Sequence, residues 1–372
     1  MIYADNAATT RLDTDALECM KCYLNEEYGN PSQPYSFSRT TKKALSDARE
    51  IIAQCIGAEK DEIFFTSGGS ESDNWALKGF MKRQEKKGLL VSEIEHHAIL
   101  RSADTLSREG YSVEKVAVTG DGVVIPRDVE SKLNDEVGLV SVMLANNEIG
   151  SVQPVKELSE IAHRKGITFH TDAVQAVGHI EIDVKSLDVD MLSASAHKFN
   201  GPRGIGFLYV RKGVSLLPLI DGGAQERGMR AGTENTAAIV GMSIALKKNC
   251  ERIKVERARL LQLEADLING LKQNELVFVR NGSPNHLPGN ISLSFLNSDG
   301  EMLFHRLDLM KICVSTGSAC DSKNTQISHV IKAIGVPENY AKGTIRISLG
   351  RDNTSEDVRE IVEAITKVMK RP

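Results

Sequence analysis

The chain has no excess of either charge. Among its 372 residues 46 Lys and Arg stand against 50 Asp and Glu, a net charge of -4, so the basic footprint that dominates nucleic-acid affinity is missing and direct nucleic-acid binding is not expected. It lacks a long apolar run: Val137 to Ala145, the longest apolar-looking stretch, falls far short of the roughly 18 residues of a membrane span. The opening MIYADNAATT has neither the basic nor the apolar region of a secretory signal and already carries Asp5, which predicts a soluble, cytoplasmic protein with no membrane partner. Cysteine is scarce. Six residues, at 19, 22, 55, 250, 313 and 320, are too few and too scattered for a disulfide framework, so a special cysteine here would be catalytic or metal-binding. There is no repeat, no low-complexity tract and no linker rich in Pro, Gly and Ser. What remains, 41% hydrophobic against 26% charged, excludes disorder, and the length suggests about two domains.

What the chain does have is an alternation of short β-rich runs and longer helical patterns. Glu62–Thr66 reads as a strand, followed by SGGS and a helical ESDNWALKGFMKRQEKK that stops at Gly88. Leu89–Ile94, Tyr111–Val118, Val137–Ala145, Ile167–His170, Met191–Ala194 and Gly206–Val210 continue the strands, with helices between, one beginning after Pro154 and stopping at Gly166. This predicts an α/β domain with a mostly parallel sheet, whose site would lie at the carboxyl ends of the strands. Near position 250 the pattern changes to a charged helix from about Glu251 to Lys272, strands at Val277, Ile291–Leu296, Ile312 and Ile345, and a helix around Glu301–Leu309. The expected division is a large cofactor-binding domain over 15–250 and a smaller α+β domain over 251–372, joined by the N-terminal segment 1–14.

Several segments carry chemistry. FFTSGGSESDN runs from a strand through Gly68, Gly69 and Ser70 into a helix. Glycines that let backbone amides approach, a helix N-terminus and a hydroxyl suit a phosphate, although the pattern is neither a Walker A loop nor GxGxxG and by itself fits a capped tight turn equally well. SAHKFNGPRGIG places Lys198 just past a strand among Ser195, His197 and three glycines, where a lysine can lose its charge and act as a Schiff-base nucleophile; a single Lys is otherwise an ordinary surface charge. Asp172, in FHTDAVQA, precedes Lys198 by 26 residues, about one βα unit, so both can sit on one sheet edge, and a carboxylate there can pair with a protonated pyridine nitrogen, the tuning a pyridoxal cofactor requires. Asn147, 25 residues earlier, and His96 with His97 stand at strand ends as well. Each has a plain structural alternative, but a phosphate loop, His, Asn, Asp and Lys at successive strand ends point together to one site. Cys19 and Cys22 form a CxxC within LECMKCYL, whose helical pattern favours a structural role, and no metal site is expected. Cys55, Cys250 and Cys313 sit in apolar patterns and read as core or near-core.

With these segments in place the sequence resembles the NifS/IscS-type cysteine desulfurases, pyridoxal-phosphate enzymes of the class V aminotransferase group. The resemblance runs from YADNAATT through YGNPS, FTSGGSESDN, EHHAI, NNEIGSVQP, HTDAVQAVG, SAHKFNGPRGIGFLYV, GGAQERGMRAGTEN and STGSAC to TIRISLGRDNT. It implies the type I fold of pyridoxal-phosphate-dependent transferases and conversion of L-cysteine to L-alanine, with the sulfur left on Cys320 as a persulfide. It further implies that Lys198 bonds to the cofactor, that His96 stacks on its ring and assists proton transfer, and that Asp172 pairs with the ring nitrogen. Asn147 and Gln175 would lie near the ring, Asn147 also near substrate. Gly69, Ser70, Ser195 and His197 would hold the phosphate, Thr233 would reach the phosphate of a second subunit in a homodimer, and Arg346 would bind the substrate carboxylate. A sulfur-acceptor protein follows as partner: an iron-sulfur scaffold, a tRNA-thiolating enzyme or a DNA-sulfur-modifying system. Tyr35 and Ser38 stand where the family usually has His and Gly after NPS, so that segment's entrance contacts are not carried over. The competing readings are a selenocysteine lyase or related aminotransferase, for which Cys320 would be dispensable, and a catalytically silent scaffold, against which Lys198 and Asp172 argue.

Overall fold

The computed structural model describes residues 1–316 and 327–370. Strand β1, Ile2–Tyr3, opens the chain, and seven strands follow: β2 (Ile63–Thr66), β3 (Gly88–Ser92), β4 (Ser112–Val116), β5 (Val137–Ser141), β6 (Thr168–Asp172), β7 (Met191–Ser195) and β8 (Gly206–Val210). They form one sheet in the order β2-β8-β7-β6-β5-β3-β4. Only β8 runs against the others. Strands β3, β5, β7 and β8 are buried at every residue, because helices cover both faces of such a sheet. Their sequences therefore read as continuous apolar or small runs without alternation.

The covering helices are amphipathic for visible reasons. His97–Arg108 buries Ile99, Ser102, Ala103 and Leu106, the i, i+3, i+4, i+7 spacing of one helix face. Val155–Arg164 does the same with Val155, Leu158, Ser159 and Ala162 and stops where Gly166 turns to φ +65°, a conformation glycine adopts without steric cost. The helix after β2 departs from its sequence pattern. It begins at Gly69, widens into a π-helical turn over Trp75–Gly79, and gives way to a turn soon after, well short of Gly88. Trp75 explains the widening: its indole is fully buried, Nε1 donates to the Leu217 carbonyl at 2.9 Å, and a Cβ at Gly79 would come within 2.7 Å of that ring.

A second layer is built from β9 (Phe278–Asn281), β10 (Asn290–Phe295), β11 (Ile312–Cys313), β12 (Ser315–Thr316) and β13 (Thr344–Ser348). Strands β12-β13-β10-β9 make an antiparallel sheet, and β1 pairs in parallel with β11, so the N-terminus packs on this layer. The 38-residue helix Thr236–Gln273, about 57 Å long at 1.5 Å per residue, links the two cores. Ile239, Met242 and Leu246 lie in the core under the large sheet, and Leu260, Leu263, Leu267 and Leu271 in the core with Ile291, Ile345 and Ile361. Residue 250 falls inside this uninterrupted helix. No helix among the described residues is long and apolar enough to cross a membrane.

Candidate active site

Because β2, β3, β5, β6 and β7 point the same way, the segments leaving their carboxyl ends meet on one edge. Asp172 ends β6 and Ser195 ends β7. Lys198 lies three residues beyond β7, His96 four beyond β3, and Asn147 six beyond β5. There Gly69, Ser70, His96, Asn147, Asp172, Gln175, Ser195, His197, Lys198 and Arg346 line a single cavity of about 600 Å³. Thr233 is not among them; it lines a smaller cavity of about 170 Å³ that shares Ser67 and Gly204 with the first. Cys320 lies outside the described residues. Tyr35 and Ser38 do not line the cavity.

The Ser67–Gly69 turn forms one wall. Gly68 has φ +150°, and a Cβ on Gly69 would meet Val174 Cγ2 at 2.6 Å, so the backbone is exposed at a place where side chains are excluded. The turn is braced from below: the Glu71 carboxylate accepts from Ser67 N–H at 2.7 Å and pairs with Arg230 at 2.8 Å, which holds the Glu71 carboxyl below its usual range against the effect of burial.

On the opposite side, Lys198 Nζ donates to the carbonyls of Ala7 and Ala8 at 2.7 and 2.9 Å. The Gln175 amide donates to the same Ala7 carbonyl at 3.0 Å. His96 caps the helix His97–Arg108, with Nδ1 accepting from Ala98 N–H at 3.1 Å, so the neutral ring carries its proton on Nε2. Burial first and the Lys198 charge second push His96 down to about 4, and the same causes with Arg203 push His197 down to about 4. Both imidazoles are neutral near pH 7. Asp172 accepts from Val174 N–H at 2.9 Å; burial pushes it up to about 6, opposed by that bond and by Lys198. Lys198, Asp172 and the neutral rings of His96 and His197 thus face the same cavity.

Arg346 arrives from the other layer. Its Nη1 donates to the Asn147 carbonyl at 2.9 Å and its Nη2 to Asp5 Oδ1 at 2.7 Å, while the buried Nε has no acceptor among the described residues. The guanidinium is fixed in place by two of its five N–H groups, so it keeps donors for an anionic group entering the cavity.

These features fit pyridoxal phosphate: glycine backbone and hydroxyls for the phosphate, a neutral ring to stack, a buried carboxylate for a protonated heterocyclic nitrogen, and a lysine amine. Sequence reasoning missed some of the lining. Asp73, Arg203 and His329 border the cavity, and the His97 and His329 rings lie 5.0 Å apart at its wall. Arg203 was legible in GPRGIG. Asp73 sits in the hydrophilic SESDN, where nothing signals burial.

Residues 2–361 match the class-V aminotransferase family. The chain is 47% identical to "Cysteine desulfurase IscS" of Clostridium botulinum, covering 99% of this chain and 94% of that protein. Among solved structures it resembles a "NifS-like protein" at TM-score 0.94 and 38% identity, covering 99% of both chains. It also resembles "SspA in complex with cysteine" at TM-score 0.83 and 37% identity, covering 94% of this chain and 99% of that one.

Proposed function

The chain belongs to the class-V aminotransferase family, and from that premise we propose how its cavity works as the active site of a cysteine desulfurase. The activity is the conversion of L-cysteine to L-alanine with release of the sulfur to an acceptor, and the cofactor is pyridoxal phosphate. The observation that carries the assignment of residues is the convergence of Lys198, Asp172 and His96 on one cavity beside a glycine turn.

Bound cofactor supplies an electron sink that acidifies the substrate's Cα–H. Gly69 amide, Ser70, Ser195 and His197 would hold the phosphate, and Asn147 and Gln175 would border the ring. Lys198 would secure the cofactor covalently and, once substrate displaces it, take the Cα proton on Nζ and deliver a proton elsewhere on the same substrate. Its position among backbone carbonyls and neutral imidazoles keeps the amine inside the cavity. The Asp172 carboxylate would face the ring nitrogen, and His96, neutral and with Nε2 as its remaining donor, would stack on the ring and assist proton transfer. Arg346 would orient the substrate through its carboxylate, with Asp5 and Asn147 fixing the guanidinium.

Cys320 would be the sulfur acceptor within the protein. Its thiolate attacks the substrate sulfur, the electrons of the broken C–S bond stay with the carbon fragment, and protonation of that fragment gives alanine. The persulfide then passes to a partner protein of an iron-sulfur, tRNA-thiolation or DNA-sulfur pathway. Thr233, outside the main cavity, fits the phosphate contact to a second subunit of a homodimer. A cytoplasmic setting follows from the need for a reduced thiol.

The test is spectroscopic and chemical. Lys198→Ala should abolish the yellow colour of the lysine-bound cofactor and all turnover; Cys320→Ser should keep the colour and lose persulfide formation. A wild-type protein that stays colourless and inactive with added pyridoxal phosphate overturns the reading. Unchanged cysteine turnover in Cys320→Ser would instead favour a lyase that does not use this thiol.

A further inference from the structure

Asp73 takes no part in the roles assigned above, yet it is a deeply buried acid at the cavity wall, 1% exposed on the helix Gly69–Asn74. Its Oδ1 has no hydrogen-bond partner among the described residues. The nearest ring nitrogen, His170 Nε2, is 3.9 Å away, and that imidazole is already held between the hydroxyls of Ser141 and Ser193 at 2.9 and 3.0 Å. Complete burial pushes His170 down to about 3, so it brings no positive charge. One carboxylate oxygen of Asp73, one of Asp172 and one ring nitrogen of His96 lie within 4.8 Å of one another.

Two carboxylates this close, away from water, cannot both hold a charge. Their surroundings decide which one does. Asp172 accepts a backbone N–H, from Val174, and is attracted by Lys198. Asp73 has the Ser193 hydroxyl on its side, against burial and the repulsion of Asp172 and Glu95, and is raised well above the usual carboxylate range. Glu95 accepts from Ser92 Oγ and Met143 N–H with one oxygen, has no partner on the other among the described residues, and burial pushes it up to about 8. The groups around the pair are therefore one cation, Lys198, two neutral imidazoles, His96 and His170, and a second neutral acid, Glu95.

We propose that Asp73 is a neutral carboxylic acid that acts as a positioning residue, keeping the proton of the buried pair so that the single negative charge stays on Asp172 at the cavity surface. The inference deepens the reading of Asp172 as partner of the cofactor's ring nitrogen and rests on it. It also distinguishes this cluster from a divalent-cation site, which the same three donors would suit only with both carboxylates ionised.

Infrared difference spectra of the full chain, with and without pyridoxal phosphate, test the protonation directly. At neutral pH the wild-type spectrum minus that of Asp73→Asn should show one carboxylic-acid C=O band, in the cofactor-free and the loaded protein alike, while the band of Glu95, common to both proteins, cancels. In the loaded protein, Asn, which resembles the neutral acid, should leave the pH titration of the bound chromophore unmoved and kcat/KM within about threefold of wild type. Asp73→Val, which removes the polar group, should shift that titration and lower kcat/KM by about tenfold or more. An acid band that survives in Asp73→Asn but disappears in Asp172→Asn overturns the proposal, as does a titration shift in Asp73→Asn as large as that in Asp73→Val. If the cofactor reading itself fails, the loaded protein shows no chromophore that responds to Asp172, while the acid band of the cofactor-free protein still reports on Asp73.

Discussion

The seven-stranded sheet delivers its functional groups from strand ends, whereas the four-stranded sheet contributes Arg346 from the middle of β13, between Ile345 and Ile347. At a strand end the backbone is released from the ladder, so turns such as Ser67–Gly69 can expose amides and short side chains such as Ser195 and Asp172 can face a ligand. Mid-strand, the side chain must leave a paired sheet on one face. Arg346 does so while its neighbours Ile345 and Ile347 pack into the small core, and it needs the length of arginine to reach Asn147 across the layers. The first sheet builds a binding surface; the second aims one long side chain into it.

That contrast yields predictions of decreasing size. Asp172→Asn removes the only strand-end carboxylate proposed for the ring nitrogen and should lower kcat by about 100- to 1,000-fold, the scale of losing a charge-matched group in a preorganised site, with a visible spectrum that changes alongside. Arg346→Lys keeps the charge but gathers its donors on one nitrogen, which cannot span Asp5 and the Asn147 carbonyl as the two ends of the guanidinium do; kcat/KM for cysteine should fall by about 10- to 100-fold, mostly through KM. If both variants changed the same parameter to the same extent, the division of labour between the sheets would be wrong. Glu95→Gln should have little effect on turnover and a measurable one on stability. A buried Glu raised from 4.5 to about 8 binds more protons folded than unfolded in that window, so its contribution weakens as pH rises through it. Gln stays neutral, and the variant's thermal midpoint should therefore fall less than the wild type's between weakly acidic and weakly alkaline pH, by several degrees. Parallel curves would show that Glu95 is not the buried acid described.

Lys198, Asp172, His96, Asn147 and Ser70 were legible in the sequence because a βα repeat spaces strand ends by about 25 residues, and the family resemblance sharpened their roles. The strands were legible as apolar runs; the helix after β2 was not, since the pattern ESDNWALKGFMKRQEKK gives no sign that Trp75 will be buried against Leu217 and force a wider turn. Asp5 was visible as a residue and invisible as the anchor of Arg346, a contact across 341 positions. The charged run 251–272 was readable as helix, but its continuation back to Thr236 was not, because the apolar first half and charged second half of that helix serve different cores.

By itself, then, the sequence determined which groups could do the chemistry and that they would gather at one sheet edge, since residue type and strand spacing are local properties. Only the tertiary structure decided what each group's surroundings do to it. That Asp73 and Asp172 share a buried space, that His96 and His197 are neutral, and that the Arg346 Nε is buried without a partner among the described residues all depend on exclusion of water by segments distant in the chain, and burial is set by packing of the whole fold.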